Sequence, residues 1–322
     1  MAYPPNEAGY PATTFPLEPF DGSFAFPRRP RKFQSRLWLH IVLLILTIGT
    51  TTIAGALHYA GFLAEFSTRR IELSWGLLAH GFWYSGTLLG ILGAHEMGHY
   101  VLCRRYNVDA TLPYFIPTPP FLFLTGTLGA VIKIREAFPN RRVLFDIGVA
   151  GPIAGFVLLV PALFLGMSLS HVVPVPNSDD LIYLGEPLLF KAALYIVFGT
   201  LDEAYTVNMH PMVFAAWFGM LATALNLLPF GQLDGGHITY AALGRWSTPI
   251  SIATVAIAIL MTFVSISWLV MTLLMVAMLL MFGARHPRVV FEHEPIGRQR
   301  AAIAVLALVI FILCFTPIPI RL

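Results

Sequence analysis

Charged side chains are scarce in this sequence. Only 11% of the 322 residues are Asp, Glu, Lys or Arg, whereas 57% are hydrophobic. A soluble domain carries about 25% charged residues, so this composition excludes an ordinary soluble domain and indicates a membrane protein. The net charge is only +3 and requires no nucleic-acid partner. Cysteine is scarce as well, and the two residues Cys103 and Cys314 cannot form a disulfide framework.

Long stretches without any charged residue are present instead. They are 37–64, 73–95, 147–178, 204–233, 246–284 and 301–320. About 20 apolar residues cross a bilayer as a helix, and the longest stretch is sufficient for two crossings with a turn near 265–267. We therefore expect an all-α multi-pass membrane protein with about seven transmembrane helices. The weaker stretch 188–201 contains Lys191 and is interpreted as interfacial or re-entrant.

The domain organisation follows from these stretches. We expect a disordered cytoplasmic tail at 1–36, a first transmembrane helix at 37–64, a central membrane segment at 73–240 and C-terminal transmembrane helices at 246–320. With a cytoplasmic N-terminus and seven crossings, nearly all of the 20 Lys and Arg residues lie inside. The exceptions are Arg69, Arg70, Lys191 and Arg321. Because cytoplasmic loops are enriched in Lys and Arg, this bias predicts that orientation, in the cell (inner) membrane.

A polar motif lies at the C-terminal end of the second uncharged stretch. His95, Glu96 and His99 form the pattern His-Glu-x-x-His. Residues four apart lie on one face of a helix, so both imidazoles can bind one zinc ion. Glu96 projects beside them, where it can take a proton from water at the metal. The alternative is a pair of hydrogen-bonded histidines that only packs against neighbouring helices.

A catalytic zinc ion needs three protein ligands and one open position. Asp234 is the best third candidate, because the span that ends near it and the span of His95 and His99 both run from outside to inside. Their polar groups therefore lie at the same depth, near the cytoplasmic face. His237 is the rival ligand and ranks second because it lies beyond the glycine pair that follows Asp234. Asp234 is otherwise a turn residue before glycine.

Taken together, the two motifs resemble the site-2 protease family of intramembrane zinc metalloproteases. The matching residues are His95, Glu96, His99, Asn226, Pro229, Leu233, Asp234 and Gly235. The resemblance covers roughly 73–240. Many members have a second proline where this chain has Gly231. A subgroup that includes plant plastid members has a similar Pro-x-Gly form, and the chain is most similar to that subgroup, with Asn-x-x-Pro-x-Gly-x-Leu-Asp-Gly-Gly.

The resemblance also implies the roles of the residues. It implies one zinc ion per chain, bound by His95, His99 and Asp234, with Glu96 as the catalytic base. It further implies that Asn226 helps to hold the substrate or the oxyanion. The implied substrates are other membrane proteins that are already trimmed by another protease.

The stretch 113–132 is apolar but contains four prolines, so it cannot be an ordinary membrane helix. Non-helical backbone at membrane depth is tolerated only where protein or a water-filled cavity satisfies it. A re-entrant hairpin beside the active site would meet this condition, and its edge could pair with an unwound substrate segment. The family resemblance points to such a Gly-x-x-Gly loop, here with Gly126 and Gly129. A cytoplasmic loop on the lipid headgroups is the alternative.

The next uncharged stretch is expected to form the third wall of the site. Small residues permit close helix contact, and this stretch carries Gly148, Gly151 and Gly155. Asp146 lies immediately before it. We interpret Asp146 as the partner of Arg141 or Arg142 in an interfacial ion pair, and the alternative is a contact with a zinc-bound histidine.

The sequence therefore predicts zinc-dependent hydrolysis of a peptide bond inside or near the bilayer. The catalytic core is expected in three spans, near 73–103, 146–170 and 211–233. The rival class is a metal transporter or metal-binding scaffold, since histidines and carboxylates in spans also mark ion pathways. A transporter more often holds its ligands near the midplane between two related halves, and no internal repeat is visible here. The complete ligand set argues against a proteolytically inactive relative.

Overall fold

Helices account for most of the computed structural model, which describes residues 32–66, 72, 74–176, 183–283, 286–292 and 294–321. In chain order they are α1 (Leu37–Ala64), α2 (Trp75–His80), α3 (Phe82–Arg105), α4 (Arg141–Ser168), α5 (Leu188–Phe198), α6 (Pro211–Asn226), α7 (Asp234–Leu243), α8 (Ser247–Val264), α9 (Trp268–Phe282) and α10 (Arg298–Cys314). These elements belong to one compact unit, Phe33–Leu322. Most of the tail predicted at 1–36 lies outside the described residues.

Short antiparallel strands join the helix ends; the hairpin within 113–132 was expected, whereas the all-α prediction did not include the other strands. In the described part of the chain, β1 (Tyr114–Pro117) pairs with β2 (Thr127–Val131), β3 (His171–Pro174) with β5 (Tyr205–Asn208), and β4 (Tyr183–Leu184) with β6 (Ile320–Arg321). Each pair satisfies backbone groups that loops between apolar helices would otherwise leave without hydrogen bonds.

The proline-rich stretch 113–132 forms the β1–β2 hairpin, which confirms that it is not a membrane helix. Phe115 lies opposite Ala130 in this hairpin. The hairpin is tied to α1, because the hydroxyl of Thr50 donates a hydrogen bond to the carbonyl of Gly126 (2.7 Å). Its re-entrant position in a membrane stays a prediction.

In the described residues, three helical stretches are long and apolar enough to cross a membrane, namely Leu37–Ala64, Arg141–Ser168 and Asp234–Val264. Helix α3 has 24 residues, but its polar motif makes it less apolar. Helices α6, α9 and α10 are shorter, with 16, 15 and 17 residues. The turn predicted near 265–267 is confirmed between α8 and α9. Helix α5 has 11 residues, too few for a crossing that needs about 20.

Helix α4 forms the centre of the core. Asn140 caps its N-terminus by accepting a hydrogen bond from the amide of Val143 (2.9 Å). The side chains that are fully buried along α4 include Leu144, Phe145, Leu159, Leu163 and Met167. They share one apolar cluster with Ala307 and Ile310 of α10. The C-terminal helix therefore packs directly on the predicted catalytic core.

The third predicted core span, 211–233, is corrected by the structure. Helix α6 ends at Asn226, and a tight turn follows in which Gly231 has a φ of +52°, a conformation that favours glycine. Helix α7 then begins at Asp234. The two glycines after Asp234 lie against carbonyl groups of this turn, where any side chain would overlap the backbone. Asp234 is thus the first residue of a new helix and not the end of a span.

The contacts between helix ends show which ends lie together, and they define two ends of the helix bundle, here called the first end and the second end. At the first end, Tyr106 after α3 and Arg300 of α10 both bind Asp146 in the first turns of α4. At the second end, Asn208 before α6 donates to the carbonyl of Phe62 near the end of α1 (2.7 Å). The pairs β3–β5 and β4–β6 and the turn between α8 and α9 also lie at the second end. Successive long helices therefore alternate in direction.

Candidate metal centre

The two histidines of the motif lie on one face of α3. His95 and His99 are buried, with 5% and 6% of their surface exposed, and Glu96 between them is 8% exposed. Their rings meet edge to face, and the two Nε2 atoms lie 3.2 Å apart. Three ionisable side chains in an apolar interior need partners to offset their desolvation. The short distance between the two Nε2 atoms shows that the helix brings the two histidines together as predicted.

Asp234 supplies the third donor group from the start of α7. Its Oδ2 lies 3.0 Å from Nε2 of His95, and its Oδ1 lies 3.3 Å from Nε2 of His99. The ligand atoms of these three residues all lie within 4.8 Å of one another. The predicted juxtaposition of two distant motifs is thus present in the fold.

These three residues fit a zinc ion. Bonds of about 2.0–2.1 Å to a tetrahedral zinc would separate its donor atoms by roughly 3.3 Å. The two Nε2 atoms lie 3.2 Å apart, and each lies close to a different carboxylate oxygen of Asp234, at 3.0 Å for His95 and 3.3 Å for His99; these separations are near that value. Two imidazole nitrogens and one carboxylate oxygen form a donor set typical of catalytic zinc sites, which leave the fourth position open.

Helix α4 holds the histidines in place. Nδ1 of His99 lies 2.7 Å from the carbonyl oxygen of Ile147. Because a carbonyl can only accept, Nδ1 carries the proton and Nε2 keeps its lone pair for a metal. Gly151 lies directly beneath this ring, and a Cβ atom at Gly155 would lie 3.3 Å from Cβ of His95. The expectation that this glycine-bearing helix forms a wall of the site is confirmed.

Two further groups adjoin the donor set. The Nδ2 atom of Asn226, at the end of α6, lies 3.3 Å from Nε2 of His95. The backbone amide of Ile132, which follows β2, lies close to the carboxylate of Glu96. The sequence offered no signal for Ile132, because the group that acts is its backbone. The end of the hairpin therefore lies beside Glu96, the residue that the motif predicts to be the catalytic base.

The predicted loop glycines differ in their surroundings. Gly126 has a φ of +70° and packs against the backbone of Thr50, so it anchors the hairpin on α1. Gly129 has a φ of +110°, and the space beside it is open. Gly129 lies in β2, three residues before Ile132. Of the two, Gly129 therefore has room for another chain beside it.

Comparison with known families bears directly on this site. The sequence model of Peptidase family M50 matches residues 83–271, which include His95, Glu96, His99 and Asp234. The chain belongs to Peptidase family M50. This is the site-2 protease family, so the family resemblance is confirmed, whereas the motif subgroup stays a prediction. Helices long and apolar enough to cross a membrane are present in the described residues of this family member.

Among the relatives of this family member are plant proteins. It is 35% identical over 162 residues to "Probable zinc metalloprotease EGY1, chloroplastic" of Arabidopsis thaliana, which covers 49% of this chain and 29% of the relative. It is 34% identical over 176 residues to "Probable zinc metalloprotease EGY2, chloroplastic" of Oryza sativa subsp. indica, which covers 52% of this chain and 30% of the relative. The matched part thus spans less than a third of these relatives. No solved structure gives a significant match.

His237, the rival ligand, lies outside the group formed by His95, His99 and Asp234. Its Nδ1 is 2.6 Å from Nε2 of His286, in the segment between α9 and α10. His286 in turn stacks on Tyr240, with ring centroids 4.4 Å apart. The structure thus gives His237 a different partner and favours Asp234 as the third ligand.

Asp146 forms an ion pair with an arginine, as interpreted, but the predicted partners are wrong. Its carboxylate binds neither Arg141 nor Arg142, but receives two hydrogen bonds from Arg300 (2.8 and 2.7 Å) and one from the hydroxyl of Tyr106 (2.6 Å). Its hydrogen-bond partners among the described residues are Arg300 and Tyr106, not His95 or His99. Arg141 instead donates to the carbonyl of Tyr240. The bond to Asp146 raises the pKa of Tyr106.

Proposed function

We propose that this chain is a zinc-dependent intramembrane endopeptidase that cleaves transmembrane segments of other membrane proteins. One observation carries this proposal: the donor atoms of His95, His99 and Asp234 lie within 4.8 Å of one another, with the buried carboxylate of Glu96 close to them. The names of the relatives, which call them zinc metalloproteases, support the choice of metal. We expect one zinc ion per chain.

Each residue has a distinct task in this mechanism. Zinc bound by the three ligands would supply Lewis acidity for water and for the scissile carbonyl. Glu96 accepts the proton of the attacking water and later delivers it to the leaving amine. The amide of Ile132 lies close enough to Glu96 to orient its carboxylate for both transfers. Asn226 offers its Nδ2 hydrogens to the substrate carbonyl, whose oxygen becomes negative during attack.

The substrate must expose its backbone before cleavage. A helical peptide group is already hydrogen-bonded within the helix, so a transmembrane substrate has to unwind locally. An unwound segment can add as a strand to an exposed edge. The open side of Gly129 and the proximity of Ile132 to Glu96 support β2 as that edge. The hairpin is then re-entrant, at the depth of the metal site.

We further infer seven crossings, by α1, α3, α4, α6, α8, α9 and α10, around a catalytic core of α3, α4 and α6. The alternating helix directions support this topology. The Lys and Arg bias places the first end, with the metal site nearer to it, on the cytoplasmic side. The bias specifies a face and not a particular membrane, and the relatives are named chloroplastic. Our proposal remains the cell membrane, with regulated intramembrane proteolysis as the process.

Glu96→Gln tests the proposed function. Glutamine keeps the size of the side chain but cannot accept the proton, so zinc should remain bound while hydrolysis falls by about two to four orders of magnitude. The assay is cleavage of a single-span substrate with helix-breaking residues, reconstituted in liposomes. Glu65→Gln is the matched control, because Glu65 is exposed and binds His171 at the second end. Equal cleavage by zinc-loaded wild-type protein and Glu96→Gln would favour a binding or transport role instead.

A further inference from the structure

The first turns of α4 are held by a three-residue contact, here called the Asp146 cluster (Tyr106, Asp146 and Arg300). Arg300 binds the carboxylate of Asp146 through two nitrogens, and Tyr106 donates its hydroxyl to the same carboxylate. Only 15% of the Asp146 side chain and 29% of the Arg300 side chain are exposed. Isolated surface ion pairs contribute little, but bidentate and partly buried ones are stronger.

This cluster adjoins the support of a metal ligand. Asp146 is followed directly by Ile147, whose carbonyl accepts the Nδ1 proton of His99. The position of this carbonyl along α4 therefore determines the ring orientation of His99. A histidine ligand is fixed by the hydrogen bond of its other nitrogen, and loss of such a bond weakens metal binding.

The cluster also connects three helices that are far apart in sequence. Tyr106 follows α3, which carries His99, and Arg300 lies in the first turn of α10. Arg300 lies outside residues 83–271, the part that matches the family model. A residue outside the matched region thus binds the same carboxylate of α4 that the residue after α3 binds.

We propose that Arg300 is a positioning residue for the metal centre, acting through Asp146 and the Ile147 carbonyl on His99. The inference rests on the zinc site of the proposed function. It makes α10 part of the active-site support, so metal affinity depends on the C-terminal helix. A purely structural role for Arg300 would lower thermal stability and leave the metal affinity of the folded protein unchanged.

The test measures metal affinity and fold separately on the full chain in detergent. Zinc dissociation constants are obtained by competition with a chelator, and the visible spectrum of the Co²⁺-loaded protein reports ligand geometry. Arg300→Met should raise the zinc dissociation constant about tenfold, the lower end of the range for residues that orient ligands. Arg300→Lys keeps the positive charge but cannot donate two parallel hydrogen bonds to the carboxylate of Asp146. Its zinc affinity should therefore lie between those of Arg300→Met and the wild-type protein.

Two control variants separate positioning from general destabilisation. Arg298→Met removes an exposed arginine from the same turn of α10. Trp268→Phe removes the hydrogen bond from its indole to the carbonyl of Pro317 (2.7 Å), just beyond the other end of α10. Both should leave the zinc dissociation constant and the Co²⁺ spectrum unchanged. If Arg300→Met folds poorly, Tyr106→Phe removes one hydroxyl from the cluster and should change both readouts in the same direction.

The outcomes distinguish this inference from the proposed function. Wild-type protein that binds no zinc would overturn the metal site itself. Wild-type protein that binds zinc, with unchanged affinity and Co²⁺ spectrum in Arg300→Met and Tyr106→Phe, would overturn only the positioning role. An equal loss of affinity in Trp268→Phe would also overturn it, because the effect would then follow from the stability of α10.

Discussion

The imidazole of His99 occupies the space that a side chain at Gly151 would fill. A Cβ atom added there would overlap Nε2, the nitrogen that faces His95 and Asp234. The hydrogen bond from its Nδ1 to the carbonyl of Ile147, which also lies on α4, holds the ring in this position. One methyl group on α4 therefore competes with a metal ligand on α3.

Gly151→Ala should consequently weaken zinc binding by about tenfold or more, as loss of ligand orientation does elsewhere. Its measurement is zinc content after dialysis against a chelator, together with circular dichroism to verify folding. Gly90→Ala is the matched control, because a Cβ atom at Gly90 on α3 would meet no neighbour within 4 Å. Retention of full zinc by a folded Gly151→Ala protein would contradict the packing described here.

The ligand set predicts which substitutions remove the metal. His95→Ala, His99→Ala and Asp234→Ala should each reduce the zinc content from one equivalent to near zero, because only two of three ligands would remain. His237→Ala should retain zinc, since His237 binds His286 instead. Elemental analysis of purified protein provides the measurement. Loss of zinc in His237→Ala with retention in Asp234→Ala would reverse the choice of third ligand.

The residues of this site that the sequence predicts are those whose side chains bind metals. His95 and His99 share a helical face by their spacing alone, and Asp234 was placed near them because the two spans have the same direction. The end of α6 was misplaced because the run of apolar residues continues through the turn that follows Asn226. Hydropathy does not register a turn whose residues are themselves apolar.

Contacts made by the backbone or between distant residues left no signal in the sequence. The carbonyl of Ile147 and the amide of Ile132 act through groups that every residue carries, so composition cannot single them out. Asp146 was assigned to nearby arginines because neighbours in sequence are the obvious partners. Its actual partner, Arg300, is 154 residues away and is brought there only by the packing of α10 on α4.

Asn226 should affect the rate of hydrolysis more than substrate binding. If its Nδ2 group donates to the developing oxyanion, Asn226→Ala should lower kcat by about 100-fold with little change in KM. Zinc content should stay at the wild-type level, because Asn226 is not a ligand. Asn208→Ala is the control, since Asn208 binds the carbonyl of Phe62 at the second end. A change confined to KM would assign Asn226 to substrate binding instead.

The two helix ends predict opposite accessibility to reagents that do not cross membranes. Glu186 lies near β4 at the second end, and Glu294 lies near Arg142 at the first end; both side chains are about half exposed. In a background with Cys103→Ala and Cys314→Ala, Glu186→Cys should react with an impermeant maleimide in intact cells. Glu294→Cys should react only after permeabilisation, because the Lys and Arg bias places the first end inside.

Permeabilised membranes, in which both variants should react, control for expression and intrinsic reactivity. The reverse labelling pattern would put the metal site nearer the outer face, and labelling of both variants in intact cells would contradict a bundle whose two ends lie on opposite sides of the membrane.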